Sequence, residues 1–263
     1  MSIKIIISGV CGKMGLSILN LATKDPEIKI AGILEAKNHS MVGKQIGEFS
    51  KAGKVTDDLT KIIDKTDVLI EFTTPESTIE HINIASKAKK YVVLGTTGLR
   101  ESGVHIIKQF SKQIPVVMAP NMSVGVNLLY KLVSQTAKLL SGYDIEIVEL
   151  HHNKKKDAPS GTALKIAEVI AKELGRDLTS VGVYGRKGMT GTRKKEELGI
   201  LSIRAGDIVG EHTVYFAGPG EVVEITHKAL SRDTFANGAL RAAKWIVKQK
   251  PGLYDMQDVL GLK

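Results

Sequence analysis

The sequence predicts an α/β protein with two domains, an N-terminal doubly wound parallel sheet and a smaller α+β domain with a mixed sheet. Two observations support this prediction. Up to Asn121, short and almost uninterrupted apolar runs alternate with segments of helical periodicity, which is typical of strands buried on both faces of a parallel sheet. From Leu198 onward, three strand-like runs are joined by glycine-containing turns, which indicates mixed or antiparallel sheet.

Five strands are predicted in the first domain. One connecting segment, GKMGLSILNLATKD, places Met14, Ile18 and Leu21 on one helical face. Another, PESTIEHINIASKAKK, begins with Pro75, a residue favoured in the first turn of a helix. Repeated β-α-β units with right-handed crossovers form an open doubly wound sheet. The predicted strands are the runs KIIISGV, IKIAGILE, DVLIEFTT, YVVLGTT and IPVVMAPN.

The second domain is predicted to begin with a long helix, roughly Val124 to Leu140, followed by a strand, IEIVELHH, and a second helix in GTALKIAEVIAKELG. The closing run TFANGALRAAKWIVKQ is a helix that can return to the first domain. We therefore assign residues 1–122 and 232–263 to one domain and residues 123–231 to the other. The three later strands are predicted in LGILSIRAG, IVGEHTVYFAG and EVVEITHKAL.

Charge and composition restrict the partners. The 263-residue chain has a net charge of +9, which favours anionic partners such as nucleic acid, acidic lipid, or phosphorylated and carboxylated small molecules. Aromatic residues make up only 5% of the chain, and no basic stretch is interleaved with aromatic side chains that could stack on bases. The first apolar run is too short to cross a membrane. We expect a cytoplasmic protein that binds neither nucleic acid nor membrane.

A glycine loop follows the first predicted strand. In GVCGKMG, the glycines Gly9, Gly12 and Gly15 stand at the turn from strand to helix, where they permit close approach of a pyrophosphate to the helix N-terminus. Glu35 ends the second strand, where an acidic side chain can bind a ribose diol. The spacing differs from the common G-x-G-x-x-G, but its position predicts a Rossmann-like domain that binds NADH or NADPH. The loops FTTP and GTTG also follow strands, and they are either contacts of the nicotinamide half or ordinary turns.

The run HHNKKKDAPSGTAL, residues 151–164, concentrates positive and titratable groups ahead of a predicted helix. A lysine run alone is usually a solvated surface loop. Beside a dinucleotide-binding domain, however, this run is typical of a site for an anionic substrate. Amides and hydroxyls at a helix N-terminus can bind a carboxylate, a lysine can supply charge or a proton, and a histidine titrates near neutrality.

The sequence closely resembles the 4-hydroxy-tetrahydrodipicolinate reductase family, also called dihydrodipicolinate reductases, of bacterial and plant lysine biosynthesis through diaminopimelate. The likeness extends over nearly the whole chain. It rests on GVCGKMG, FTTPES, GTTG, APNMSVGVN, ELHHNKKKDAPSGTA, RAGDIVGEHTV and SRDTFANGA. The resemblance implies an oxidoreductase that transfers a hydride from NADH or NADPH to a cyclic unsaturated dicarboxylate, and a homotetramer formed through the sheet of the second domain. It implies no metal.

The resemblance also implies roles for individual residues. His151 is the implied acid or base, and Lys155 the implied proton donor to the ring carbon next to the one that receives the hydride. The implied ligands of the substrate carboxylates are His152, Lys155, Ser160, Gly161 and Thr162. The implied cofactor contacts are Gly9, Gly12, Lys13, Met14, Glu35, Phe72, Thr73, Gly95, Thr97, Ala119, Asn121, Arg232 and Phe235.

Two details of the first domain lead to separate expectations. Several relatives have arginine directly after the acidic ribose residue, but here Ala36 and then Lys37 follow Glu35. We therefore expect both cofactors to be used, with NADH at least as good as NADPH. The single cysteine, Cys11, lies near a helix N-terminus and near Lys13. Both features are expected to lower the pKa of its thiol, although a small buried side chain is the alternative interpretation.

Two other functions are compatible with parts of the sequence. Another two-domain nicotinamide dehydrogenase, acting on an amino acid or a semialdehyde, would share the first domain, but the semialdehyde enzyme would need a nucleophilic cysteine outside the phosphate loop. A non-enzymatic dinucleotide-sensing or nucleic-acid-binding protein would account for the net charge, but not for paired histidines ahead of Ser-Gly-Thr.

Overall fold

The computed structural model describes residues 2–263, apart from the side chains of residues 48 and 51. The chain divides into two compact units. Unit 1 consists of the chain up to Val124 together with Arg232–Lys263, and unit 2 is Gly125–Ser231. Among the described residues, no helix is long and apolar enough to span a membrane.

Unit 1 contains a six-stranded parallel sheet. The strands are β1 (Ile3–Ser8), β2 (Ile28–Leu34), β3 (Val68–Glu71), β4 (Tyr91–Leu94), β5 (Pro115–Met118) and β11 (Gly252–Tyr254), in the order β11-β5-β4-β3-β1-β2. The chain order therefore reverses beside β1, which has β2 on one side and β3 on the other. In open α/β sheets ligands bind beyond the carboxyl ends of the strands at such a switch point.

Helices cover both faces of this sheet, which explains the nearly continuous apolar runs. Ile5 and Ile7 of β1 belong to one core, which includes side chains of α1 and α7, whereas Ile6 belongs to a second core with side chains of α2 and α3. All three isoleucines are fully buried. The helices of unit 1 are α1 (Lys13–Ala22), α2 (Pro75–Lys87), α3 (Glu101–Phe110), α7 (Asp233–Ile246) and α8 (Met256–Leu260).

Unit 2 contains a mixed five-stranded sheet. Its strands are β6 (Asp144–His151), β7 (Gly182–Val183), β8 (Leu198–Arg204), β9 (Gly210–Gly218) and β10 (Glu221–Ala229), in the order β10-β9-β6-β8-β7. β6 is parallel to β8 but antiparallel to β9. The helices are α4 (Val124–Leu139), α5 (Gly161–Glu173) and α6 (Leu178–Val181). The doubly wound parallel sheet and the mixed second sheet confirm the predicted fold class.

One face of the unit 2 sheet is apolar at one end of its strands and polar at the other. Side chains at alternate positions share a face, so Ile145, Ile147, Glu149 and His151 of β6 point to the same side. The two isoleucines pack in a core with α4 and α5. The two polar residues continue the same row beyond the end of that core, and Glu149 is nevertheless fully buried. This polar end of the helix-covered face is where the candidate substrate residues lie.

Candidate active site

The glycine loop of unit 1 is packed too closely for side chains. Gly9 has a positive φ of 76°, and a Cβ added there would overlap the carbonyl oxygen of Phe72. A Cβ at Gly15 would overlap the carbonyl oxygen of Gly9. The helix α1 begins with Gly12 as N-cap, and no side chain caps it. A loop with these properties leaves backbone N–H groups open to an anionic group.

Two adjoining clefts, of about 550 and 720 Å³, lie within unit 1 around this loop. The smaller cleft is lined by the predicted cofactor residues Gly12, Lys13, Met14, Phe72, Thr73, Gly95, Thr97, Ala119, Asn121 and Phe235. The larger cleft shares Gly12, Phe72 and Thr73 with it and adds Gly9 and Glu35. Arg232 lines neither cleft, because it is the exposed residue that precedes α7. The predicted cofactor residues other than Arg232 are thus brought together.

Glu35 is held in place by backbone amides. One carboxylate oxygen accepts a hydrogen bond from the amide of Cys11 and the other from the amide of Ala36, each at 2.9 Å. The neighbouring Cys11 thiol behaves differently from the sequence-based expectation. Burial raises the pKa of this thiol, and the charge and hydrogen bond of Glu35 raise it further. The expectation of a lowered pKa was therefore wrong, because it omitted the carboxylate that β2 brings beside the loop.

A buried carboxylate that the sequence interpretation did not identify supports the FTTP loop. Glu71, at the end of β3, is 1% exposed and accepts hydrogen bonds from the hydroxyl of Thr73 and from Nδ1 of His81, the latter at 2.9 Å. The amide of Thr73 in turn donates to the hydroxyl of Thr96 at 3.2 Å. These bonds connect the FTTP and GTTG loops beneath the cofactor clefts.

In unit 2 the polar end of the sheet is organised around Glu149. Its Oε1 accepts hydrogen bonds from Nη2 of Arg204 at 2.8 Å and from the amide of Ser160 at 3.0 Å. Its Oε2 is 2.8 Å from Nη1 of Arg204 and 2.6 Å from Nδ1 of His151. Burial alone would raise the pKa of Glu149, but hydrogen bonds from His151, Arg204 and Ser202 outweigh burial and hold it well below its usual range.

The histidine opposite Glu149 is neutral. His212 of β9 pairs with Glu149 in the sheet register and is 3% exposed. Burial, followed by the electrostatic effect of the neighbouring His151 ring, lowers the pKa of His212 to about 3. The two imidazole rings meet edge to face, with centroids 5.3 Å apart. At neutral pH His212 can therefore donate a hydrogen bond to Ser160 or accept one from it, without carrying a charge.

Ser160 is buried and hydrogen bonded within the protein. Its amide donates to Glu149, and its hydroxyl accepts from the amide of Ala163 and bonds Nε2 of His212, both at 3.1 Å. The residue is 2% exposed and is the N-cap of α5. Ser160 therefore caps the helix whose first turn carries Gly161 and Thr162, and its contact with a substrate carboxylate stays a prediction.

Only the middle lysine of the KKK run turns inward. The side chain of Lys155 is 20% exposed and its Nζ lies 2.9 Å from Oδ1 of Asp157, whereas Lys154 and Lys156 are exposed. Arg204 donates to the carbonyl oxygen of Asp157 at 2.7 Å, which ties this loop to β8. The hydrogen bond from Lys155 lowers the pKa of Asp157. The interpretation of the run as an exposed loop thus holds for its flanking lysines but not for Lys155.

Further along the motif, the hydroxyl of Thr162 hydrogen bonds the hydroxyl of Tyr130. Tyr130 belongs to α4 and is 9% exposed, and its pKa is raised because it is buried. His152 follows β6 directly and is half-buried. The structure therefore brings His151, Lys155 and the start of α5 into one neighbourhood, and adds Glu149, Arg204, His212, Asp157 and Tyr130.

A parallel sheet with a glycine loop at its switch point, combined with a second unit that carries a cluster of ionisable side chains, is the architecture of two-domain nucleotide-dependent oxidoreductases. Sequence comparison identifies the family. Residues 3–122 match the family described as dihydrodipicolinate reductase, N-terminus, and residues 125–260 match dihydrodipicolinate reductase, C-terminus. The chain belongs to the dihydrodipicolinate reductase family.

Relatives cover the chain over its whole length. A 4-hydroxy-tetrahydrodipicolinate reductase of Syntrophus aciditrophicus is 50% identical over 266 residues, which is 99% of this chain and 99% of the relative. The enzyme of the same name from Geobacter sulfurreducens is 48% identical over 265 residues, again 99% of each chain. The resemblance seen in the motifs is confirmed, and the chain is an oxidoreductase of this family rather than a member of the other two classes considered.

The fold also matches a solved structure. The dipicolinate-bound dihydrodipicolinate reductase from Paenisporosarcina sp. TG-14 superposes with a TM-score of 0.78 at 22% sequence identity, covering 98% of this chain and 99% of that chain. At this identity the match supports the shared fold.

Proposed function

We propose that this chain reduces 4-hydroxy-tetrahydrodipicolinate to tetrahydrodipicolinate with NADH or NADPH, in the diaminopimelate route to lysine. One observation carries the proposal. At the polar end of one sheet face, an imidazole and the amide of a helix N-cap both hydrogen bond a buried carboxylate, and the loop between them carries an ammonium group. This combination can bind a dianionic substrate and supply it with a proton.

The substrate carboxylates are proposed to bind at the start of α5. The amides of Gly161 and Thr162 stand in its first turn, where the helix dipole favours negative charge. The side chains of His152 and Lys155 add positive or hydrogen-bonding groups from the preceding loop. In this proposal Ser160 caps the helix and also contributes to binding of a substrate carboxylate.

Proton transfer is assigned to His151 and Lys155. Hydride delivery to the ring leaves an electron-rich, enamine-like carbon that must gain a proton. Lys155 Nζ is proposed as the donor to that carbon, and Asp157, 2.9 Å away, orients the ammonium group. His151 Nε2 is proposed as the acid or base that exchanges its proton with the substrate.

Unit 1 is proposed to bind the nicotinamide cofactor, which supplies the hydride. The overlap that a Cβ would cause at Gly9 and Gly15 identifies a cradle suited to a pyrophosphate. Glu35, fixed between two amides, is suited to a ribose diol. Either NADH or NADPH is compatible with this cradle, since Lys13 and Lys37 are exposed nearby.

We also propose a cytoplasmic homotetramer assembled through unit 2. The sheet face opposite α4 and α5 exposes apolar side chains, among them Ile203 of β8 at 44% and Val222 of β10 at 55%. Light scattering coupled to gel filtration tests the proposal directly, and a monomer across the working concentration range would contradict it.

The reaction is tested with a coupled assay. Pyruvate and aspartate semialdehyde are condensed enzymatically to generate the substrate, and NADH consumption is followed on addition of this protein. Turnover that depends on the condensation product supports the proposal. Absence of NADH and NADPH consumption with a folded, cofactor-binding protein would overturn it.

A further inference from the structure

We infer that Glu149 is the positioning residue of the candidate substrate site, and that it fixes the imidazole hydrogen of His151 on Nδ1 so that Nε2 is the nitrogen that exchanges a proton. This inference deepens the proposed function and rests on it. No direct contact between Glu149 and the substrate is required.

The position of Glu149 supports this role. It is the first polar residue of the row that begins with the core residues Ile145 and Ile147, and it is fully buried. A buried carboxylate is costly unless it is hydrogen bonded from several sides. Each oxygen of Glu149 accepts two of the hydrogen bonds donated by His151, by both terminal nitrogens of Arg204 and by the amide of Ser160. The side chain of Ser202 donates a further hydrogen bond to this carboxylate.

The protonation state of the carboxylate decides the tautomer of the imidazole. Since the pKa of Glu149 is held well below its usual range, the carboxylate is ionised at neutral pH and can only accept hydrogen bonds. The 2.6 Å contact with His151 therefore requires a hydrogen on Nδ1. This hydrogen stays in place whether the ring is neutral or charged, so only Nε2 gains and loses a proton.

The opposite side of the ring is kept clear by a glycine. A Cβ added at Gly210 of β9 would lie 3.0 Å from Nε2 of His151. Glu149 and Gly210 thus act on the two nitrogens of the same ring, one by binding Nδ1 and the other by leaving room at Nε2.

Every element around this pair contributes an identifiable group. β8 contributes Arg204, which is positively charged and bonded to Glu149. β9 contributes His212, which is neutral, and β10 contributes His227, whose pKa is lowered by burial. The loop before α5 contributes the Lys155–Asp157 ion pair, and α5 itself contributes the amide of Ser160. Glu149 is therefore the anion that holds both Arg204 and His151.

The test is the substitution Glu149→Gln, which keeps the size of the side chain but replaces one oxygen by an NH₂ donor. The amide can no longer accept from all of these donors, and its NH₂ favours the tautomer of His151 with the hydrogen on Nε2. We expect kcat to fall by roughly 10²- to 10⁴-fold, as for loss of the residue that orients a catalytic histidine. The Kd for NADH should remain unchanged, and the pH profile of kcat/KM should shift.

The matched control is Glu146→Gln. Glu146 lies on the same strand but on the other face, and it is also a carboxylate paired with two arginines, Arg186 and Arg193. This variant shows whether replacing any ion-paired carboxylate of β6 by an amide disturbs the strand and thereby lowers activity. We expect its kcat and pH profile to match those of the unmodified protein.

The tautomer is measured directly by nitrogen NMR of protein labelled at its 7 histidines, with His151→Gln used to assign the signal. The unmodified protein should show a protonated Nδ1 and, at high pH, an unprotonated Nε2. A neutral ring with its hydrogen on Nε2 and none on Nδ1, observed at high pH in the unmodified protein, would overturn the inference even if Glu149→Gln does not fold. Unchanged kcat and pH profile in a folded Glu149→Gln protein would overturn it as well. Because the NMR measurement needs no substrate, it decides the role of Glu149 independently of whether the proposed reaction is observed.

Discussion

The two units form their candidate sites from different parts of the polypeptide. Unit 1 uses backbone: glycines that leave no room for a Cβ, open amides at the start of α1, and a carboxylate, Glu35, held by two further amides. Unit 2 uses side chains around one buried anion, Glu149. The difference predicts where a substitution acts. In unit 1 a change of shape should affect binding, whereas in unit 2 a change of charge should affect turnover.

The largest effect is expected in unit 2, from His151→Ala or Lys155→Ala. Loss of a group that transfers a proton should lower kcat by roughly 10²-fold or more, with cofactor affinity nearly intact. Steady-state kinetics and NADH titration provide the two measurements. Lys154→Ala is the control, because Lys154 is the exposed neighbour in the same run. Equal kcat values for the variants at positions 154 and 155 would contradict the role given to Lys155.

In unit 1 the corresponding change is Gly15→Ala. The new Cβ would overlap the Gly9 carbonyl, so α1 or the loop must move, at a cost of about 1 to 3 kcal/mol in the free energy of unfolding. We expect a lower Tm and a Kd for NADH raised about tenfold, because the amides lose their alignment. Gly142→Ala is the control, since nothing lies within 4 Å of its added Cβ. Unchanged NADH binding in the Gly15 variant would show that the loop does not form the cradle.

A smaller effect is expected on the pH dependence of stability. His212 has its pKa lowered to about 3 in the folded protein, against 6.5 for an ordinary histidine. Below pH 6.5 the unfolded chain binds a proton that the folded protein does not, so the free energy of unfolding falls on acidification through this interval. The slope from one such histidine is at most about 1.4 kcal/mol per pH unit.

Denaturant titrations between pH 6.5 and about 5 measure this contribution together with that of His227, whose pKa is also lowered by burial. Glu149 does not contribute in this window, because it begins to bind protons in the unfolded chain only near its ordinary pKa of about 4.3. His212→Gln should reduce the slope in this window, whatever it does to the absolute stability. His105→Gln should leave it unchanged, since His105 is exposed. An identical slope in the His212 variant would mean that His212 takes up its proton in the folded protein as well.

The contrast between the units also explains what the sequence could predict. The strands of unit 1 are apolar runs buried on both faces, and the glycine loop and the SGT helix start are local patterns, so fold class and most candidate residues were predictable. Arg204 and His212 were not assigned, because only the register of a mixed sheet brings them beside Glu149. A usable signal was present in β6, where Glu149 and His151 continue the alternation of two core isoleucines. The three-residue strand β11 was missed because so short a run has no periodicity.

The smallest effect is expected for the choice of cofactor. Glu35 repels a 2′-phosphate and is held in place by the amides of Cys11 and Ala36, so it cannot easily turn away. Lys13 and Lys37 are exposed and attract the same phosphate through solvent, where attraction is screened. The repulsion and the attraction should nearly cancel. We therefore expect kcat/KM with NADH to equal or exceed kcat/KM with NADPH, by a factor of less than about ten, or 1.4 kcal/mol.

Lys37→Ala should increase the preference for NADH, and raising the salt concentration should do the same in the unmodified protein. A preference for NADPH of about tenfold or more would show that the lysines dominate and that the amide-bound carboxylate does not set the specificity of unit 1.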